Sequence, residues 1–328
     1  MTEKNVVQTV HDTLWEAMKA DDRVLVLGED VGARGGVFRA TAGFLDEFGE
    51  MRVIDTPLAE SSIVGVAIGM GLHGLLPVAE IQFADFIHPA FDQLVSEAAR
   101  IRYRSNGDWN CPIVVRAPWG GGVHGALYHS QSIESFYGHV PGLKVVVPST
   151  PYDVKGMLLA AIRDPDPVLF LEHKKTYRLI KGEVPDEPYE VPIGPADVKR
   201  EGEDLTAIAY GLMLHHCLEA AQRLQDEEGV SVEVVDVRTI APLDRETILR
   251  SVSKTGKALV VYEDNRTYGA GAEISATIAE EIMSDLDAPV VRIGGPDAPA
   301  MGFAGPLEHR FMPDAESIYE HMRELAHY

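Results

Sequence analysis

The first 180 residues alternate short, continuously apolar runs with stretches of helical period, and that alternation limits the fold to a narrow class. Residues 23–27, 52–55, 76–81, 112–116, 143–148 and 168–172 read as strands, and residues 8–20, 62–74, 91–103 and 151–163 read as helices. A strand wetted on one face alternates polar and apolar side chains, whereas a strand covered on both faces does not. The pattern therefore predicts a parallel sheet with helices on its faces, a doubly wound α/β domain. A second series follows, with strands at 205–210, 231–237, 258–263 and 289–293 and helices at 215–225, 245–253, 271–285 and 314–326. Between the two, residues 180–198 turn polar and Pro-rich, which is linker composition. A chain of 328 residues exceeds what one core usually serves. The expected division is a domain over 1–185, a linker over 186–200 and a second α/β domain over 201–328.

Charge and cysteine content remove several classes of function. With 51 acidic against 29 basic residues the formal charge is -22, which repels nucleic acid and anionic lipid and attracts a basic protein partner. A solvated acidic surface accounts for the same balance. Cys111 and Cys217 are too few and too far apart for a disulfide framework or a Cys-based metal site, and a reducing, cytoplasmic compartment fits. The first ten residues show neither an export signal nor an Arg-rich presequence. The apolar stretch 63–79 carries Gly65, Gly69, Gly71, His73, Gly74 and Pro77 between Glu60 and Glu80, which suits a buried helix leading into a strand better than a membrane span.

Glu60 is the first chemical candidate. It follows a strand and opens the Gly-rich helix, where strand ends of open α/β sheets line ligand crevices. A plain helix-start acid, favoured by the dipole, is the competing account. Four residues on come Gly65, apolar Val66 and, two residues later, Gly69; glycines so spaced strip one helix face and permit close approach of another helix or subunit.

That spacing resembles the Glu-x4-Gly-apolar-x-x-Gly pattern of thiamin diphosphate enzymes, and it has company. Gly28-Glu29-Asp30-Val31-Gly32, Asp55-Thr56-Pro57-Leu58-Ala59-Glu60, Glu80-Ile81-Gln82-Phe83, His129-Ser130-Gln131-Ser132, Pro141-Gly142-Leu143-Lys144-Val145-Val146 and Ala161-Ile162-Arg163-Asp164-Pro165-Asp166-Pro167-Val168 are similar, in that order, to the β subunits of pyruvate and branched-chain 2-oxo acid dehydrogenases. The resemblance covers nearly the whole chain. It implies a transketolase-like pyrimidine-binding domain followed by a transketolase C-terminal-like domain. In such enzymes the Glu, here Glu60, shares a proton with the aminopyrimidine ring nitrogen, which favours the imino tautomer that activates the thiazolium carbon.

Other residues take roles by the same resemblance. Leu58, Gln82 and Phe86 match positions that line the aminopyrimidine, with Phe86 offering a face for stacking, although ordinary core packing also explains a Phe there. Glu29 matches a proton-relay acid. His129, in the glycine-rich loop after a strand, matches the active-site histidine that exchanges protons with the bound intermediate or the dihydrolipoyl sulfur. His124 in the same loop stays unassigned. Ile113, Ala161, Ile162, Asp164 and Asp166 match a structural potassium site, against the alternative of a simple Asp-Pro turn.

One absence bears on assembly. The Gly-Asp-Gly segment with which thiamin diphosphate enzymes hold the diphosphate and its Mg2+ does not occur here; Asn106-Gly107-Asp108-Trp109 lacks the second Gly. The resemblance then implies an α subunit that supplies this half in an α2β2 heterotetramer, and a dihydrolipoyl acyltransferase core that receives the acyl group. Residues 297–303 depart from the Asp-Thr-Pro-Phe/Tyr-Pro run of relatives, which puts local loop shape there in question. The implied reaction is oxidative decarboxylation of a 2-oxo acid, pyruvate or branched-chain. The rivals are an acetoin dehydrogenase β subunit and a non-catalytic scaffold-docking paralogue; the latter is expected to lack the pyrimidine acid, which is present. A free-standing dinucleotide oxidoreductase is poorer, because no Gly-x-Gly-x-x-Gly follows the first strand.

Overall fold

The computed structural model describes all 328 residues, which fall into two compact units: Met1–Trp119 with Phe136–Ile193, and Gly120–Ser135 with Gly194–Tyr328. In the first unit β2 (Val24–Gly28), β3 (Val53–Asp55), β4 (Leu76–Glu80), β5 (Val114–Trp119), β6 (Lys144–Val146) and β7 (Val168–His173) lie in the order β6-β7-β5-β4-β2-β3, every neighbouring pair parallel. All residues of β2, β5 and β7 are buried, as uninterrupted apolarity predicts for strands covered on both faces. The covering helices have sequence-encoded starts. Val6–Ala20 begins at a capping box, Asn5 accepting from the Gln8 amide at 2.9 Å while the Gln8 side chain accepts from the Asn5 amide at 3.0 Å. Pro151–Arg163 begins at Thr150 with Pro in its first turn. The two helices bury Val10, Leu14, Met157 and Leu158 against Val26, Val78, Val114 and Phe170 of the sheet.

Two features of this unit differ from the sequence pattern. Thr2–Asn5 (β1) and Lys181–Val184 (β8) form an antiparallel ribbon, Thr2 opposite Val184. Both are short and polar, so they lack the apolar period that marks the central strands. Residues 91–103 form no single α-helix: a π turn (Gln93–Glu97) and a 3₁₀ turn (Ala98–Arg100) precede a short α turn (Ile101–Arg104). The irregularity sits where the segment touches two glycines, with the Gln93 amide against Gly65 and the Ala99 carbonyl against Gly142.

In the second unit β9 (Asp197–Arg200), β10 (Leu205–Ala209), β11 (Val232–Asp236), β13 (Ala258–Asn265) and β14 (Val291–Gly295) run in the order β14-β13-β10-β11-β9, parallel except for the antiparallel edge strand β9; the short β12 spans Thr239–Ala241. Helices Leu212–Glu228 and Ala315–Ala326 bury Leu214, Cys217, Leu224, Ile318 and Met322 against Val234 and Val261. The α/β reading of both halves holds. The helix Glu60–Leu72 takes up the apolar stretch and β4 follows it; no helix is long and apolar enough to cross a membrane.

The first sheet contains one charge cluster. Arg116, 1% exposed in the middle of β5, reaches Glu80 Oε2 at 2.8 Å with Nη1, and Glu172 Oε1 and Oε2 at 2.6 and 2.7 Å with Nε and Nη2. Tyr177 donates its hydroxyl to Glu172 Oε2 at 2.6 Å. Burial disfavours the guanidinium charge, but Glu172 and Glu80 beside it outweigh that and hold Arg116 protonated. One cation serves two carboxylates. Glu172 has the two-point contact, and Glu80, with the single contact, is pushed up by burial despite Arg116, with Glu172 adding to the rise. Removing the cation strands two buried acids, so Arg116→Met is expected to cost about 3–5 kcal/mol in urea unfolding of the full chain. Pairing it with Glu172→Gln is expected to restore part of that loss; a double variant no more stable than the single one contradicts the account.

Candidate functional site

β3, β2 and β4 are neighbours, so their carboxyl ends open side by side and the segments leaving them line one crevice. Glu29 and Asp30 leave β2 at Gly28; Leu58 and Glu60 follow β3; Gln82 and Phe86 follow β4. The rim is tied by hydrogen bonds. The Thr56 amide donates to the Gly28 carbonyl at 2.9 Å, and Asp55 accepts from the Gly32 and Ala33 amides at 2.6 and 3.3 Å. Gly32 is required there, because a Cβ would stand 2.6 Å from Asp55 Oδ2.

Glu60 is the first residue of the helix Glu60–Leu72, whose start at Ala59 has no side-chain cap. The orphan amides of an uncapped start are a standing demand for a carboxylate, and the dipole account of Glu60 and the cofactor account both draw on it. What distinguishes the site is its company. Burial, then Asp30, then Glu60 raise the Glu29 carboxyl, so Glu29 and Glu60 sit close enough to feel each other's charge. Gln82 points its amide toward the Glu29 carbonyl and Asp30 Oδ2, at 3.5 and 3.4 Å. Phe86 meets Phe83 edge to face at 5.8 Å and is half-buried. Leu58 is 70% exposed, an apolar side chain at a polar crevice. All five crevice residues expected from the sequence therefore come from three adjoining strand ends.

His129 lies in the other unit, half-buried on the segment Gly120–Ser135 directly after a 3₁₀ turn, Ala126–Tyr128. The other histidine of this loop, His124, is paired through Nδ1 with Glu308 Oε2 at 2.7 Å. At the expected cation site the carboxylates have counter-ions, Asp164 meeting Lys144 Nζ at 2.5 Å and Asp166 meeting Arg102 Nε at 2.5 Å. The Ala161 and Ile113 carbonyls each accept one amide, from Asp164 and Val168. A carbonyl oxygen has a second lone pair. The Asp164 and Asp166 carboxylates are thus each neutralised by a cation.

Sequence reading passed over Arg116, Glu172, Asp55 and Glu308. Arg116 had a visible signal, a lone cation inside the apolar run Val114-Val115-Arg116-Ala117. Glu308 had none, since its importance comes only from folding. The raised carboxyl of Glu29 gives a direct check on the crevice. Glu60→Gln removes one of the charges that hold it up, so Glu29 is expected to titrate at lower pH in the variant when followed by carboxyl-carbon NMR. An unchanged midpoint means that the two acids do not share a site.

Comparison with known proteins fits this geometry. The family model for the transketolase pyrimidine binding domain matches residues 3–180, and that for the transketolase C-terminal domain matches residues 194–318. The chain is 58% identical over 328 residues to the 2-oxoisovalerate dehydrogenase subunit beta of Bacillus subtilis, with all of both chains covered. It is 49% identical over 325 residues to the pyruvate dehydrogenase E1 component subunit beta of the same organism, covering 99% of each. A split gene transketolase, solved as an inactive beta4 tetramer, superposes with a TM-score of 0.79 over 98% of both chains at 23% identity, a likeness of fold. A chain with both domains in this order, and with this identity over its full length, belongs to the β-subunit family of the 2-oxo acid dehydrogenases.

Proposed function

We propose that this chain is the β half of an α2β2, thiamin diphosphate-dependent 2-oxo acid dehydrogenase that passes its acyl group to the lipoyllysine of an acyltransferase core in the cytoplasm. The observation that carries the reading is the meeting of Glu60, Glu29, Gln82, Phe86 and Leu58 at three adjoining strand ends. Two acids, an amide, an aromatic face and an exposed aliphatic group are the donor set for a flat, amphipathic aminopyrimidine. Thiamin diphosphate, when bound, supplies the nucleophilic carbon and the electron sink for decarboxylation.

The protein's part is proton placement and exclusion of water. Glu60 would hold a proton at the pyrimidine ring nitrogen, beside Glu29, whose carboxyl burial and its acidic neighbours raise. Phe86 and Leu58 would cover the faces of the ring, and Gln82 would orient it. His129 would give or take a proton at the reacting group or the dihydrolipoyl sulfur. The diphosphate and its Mg2+ fall to the α chain, because no Gly-Asp-Gly segment is present and no three His, Cys, Asp or Glu side chains gather as a metal group. A potassium ion suits the carbonyl oxygens at Ile113, Ala161, Ile162, Asp164 and Asp166, where Lys144 and Arg102 already balance the side-chain charge. We read residues 1–185 as the pyrimidine-binding domain and 201–328 as the C-terminal domain. The higher identity to the 2-oxoisovalerate relative favours a branched substrate over pyruvate.

Half a cofactor site binds poorly. The isolated chain is expected to be inactive and to bind thiamin diphosphate weakly, with co-expression of the α chain restoring both and with 2-oxoisovalerate preferred to pyruvate in the assembly. Micromolar binding by the isolated chain in calorimetry contradicts the division of the site. In the assembly, His129→Ala is expected to slow acyl transfer to lipoamide by about two to four powers of ten, at least as much as decarboxylation, with folding unchanged. Wild-type lipoamide turnover in that variant removes His129 from the reaction.

A further inference from the structure

The loop carrying His129 is rich in glycine and short of regular structure. Gly120–Ser135 contains four glycines and a single 3₁₀ turn. Across the loop the Gly120 amide donates to the Gln131 carbonyl at 3.0 Å, and the Gln131 side chain donates to the Leu127 carbonyl at 3.1 Å. His124 and Ala126 sit at φ 56 and 54, a left-handed conformation that costs a residue with a side chain.

Two buried carboxylates of the same unit reach it. Glu263, 1% exposed on β13, accepts on Oε1 from the Gly121 amide at 2.6 Å and from the Ser132 hydroxyl at 3.2 Å, so one oxygen joins the two feet of the loop. Glu308, 4% exposed on the helix Gly305–Phe311, accepts on Oε1 from the Gly122 and His124 amides, both at 3.0 Å, and on Oε2 meets His124 Nδ1 at 2.7 Å. The next residues follow the same plan, Ser135 donating to Asp264 at 2.5 Å and Tyr210 to Glu134 at 2.7 Å. Met301 fills the space over Gly121, where a Cβ would stand 2.5 Å from its sulfur. The His129 carbonyl packs over Gly125, with 2.5 Å to a Cβ built there.

We propose that Glu308 and Glu263 are positioning residues, two carboxylate staples that hold the glycine-rich loop in the shape that presents His129, with His124 serving as an anchor to Glu308 and not as a second acid or base. Charged acceptors on main-chain amides make stronger bonds than neutral ones, and a buried carboxylate with three donors aimed at it has no competing solvent. This inference rests on the proposed role of His129 for its catalytic consequence, but not for its structural one.

The test uses the αβ assembly with Glu308→Ala, Glu308→Gln and His129→Ala in parallel. Glu308→Ala is expected to speed hydrogen exchange of the Gly122 and His124 amides about tenfold or more. It is also expected to lower kcat for acyl transfer to lipoamide while leaving thiamin diphosphate affinity and α association unchanged. Glu308→Gln keeps an acceptor oxygen and is expected to recover part of both effects; it is also the working variant if the alanine form fails to assemble. Wild-type exchange at Gly122 and His124 in either Glu308 variant overturns the staple. Faster exchange with unchanged transfer, while His129→Ala is impaired, overturns the positioning role and leaves His129 standing. If His129→Ala is itself unimpaired, the His129 reading fails, and the exchange result alone decides whether Glu308 holds the loop.

Discussion

One guanidinium buried between two carboxylates sets the geometry on which the crevice depends. Arg116 of β5 stands opposite Glu80 of β4 in register, and Glu172 comes from the far side on β7, so the cluster pins three strands to one another. Such a cluster is costly to desolvate and contributes little net stability compared with apolar packing. Its value is register. A strand slipped by one position carries its charge to the other face, where no partner waits. Because Glu80 ends β4, the cluster also fixes where the chain departs toward Gln82 and Phe86. Tyr177 extends the same network outward, stacking edge to face with Phe38 at 5.0 Å, and Phe38 in turn with Phe83 at 5.5 Å.

Much of this was legible in the sequence, for reasons that differ by element. The central strands announced themselves because burial on both faces demands unbroken apolarity, and the helix Pro151–Arg163 because Thr150 and Pro151 mark a start. The crevice residues were legible as motifs, since each sits a short, fixed step after a strand end. The ribbon of β1 with β8 was not, because a short polar pair gains its order from one partner strand and leaves no periodic trace. The π turn at Gln93–Glu97 was hidden likewise, its contacts coming from glycines far along the chain. Glu263 and Glu308 illustrate the general difficulty. An acid in a strand or helix looks like a solvated surface charge until folding brings main-chain donors to it.

The arrangement divides labour between rigid and compliant parts. The crevice is built on strand ends tied through Asp55 and Thr56, so its acids can be held in place without help from the cofactor. His129 sits instead on a glycine-rich loop. Strongly acidic overall, the chain carries a charge of -22 that favours a basic partner and is screened at high salt.

The central claim is that Glu60 is the acid that activates the cofactor, and exchange of the thiazolium proton for deuterium in the αβ assembly tests it most directly. Glutamine is nearly isosteric with glutamate and can still reach the pyrimidine nitrogen, but it cannot pass a proton. With Glu60→Gln the exchange rate is predicted to fall by about two to four powers of ten while assembly and much of the cofactor affinity survive. Exchange at the wild-type rate in that variant shows Glu60 to be a helix-start acid and nothing more.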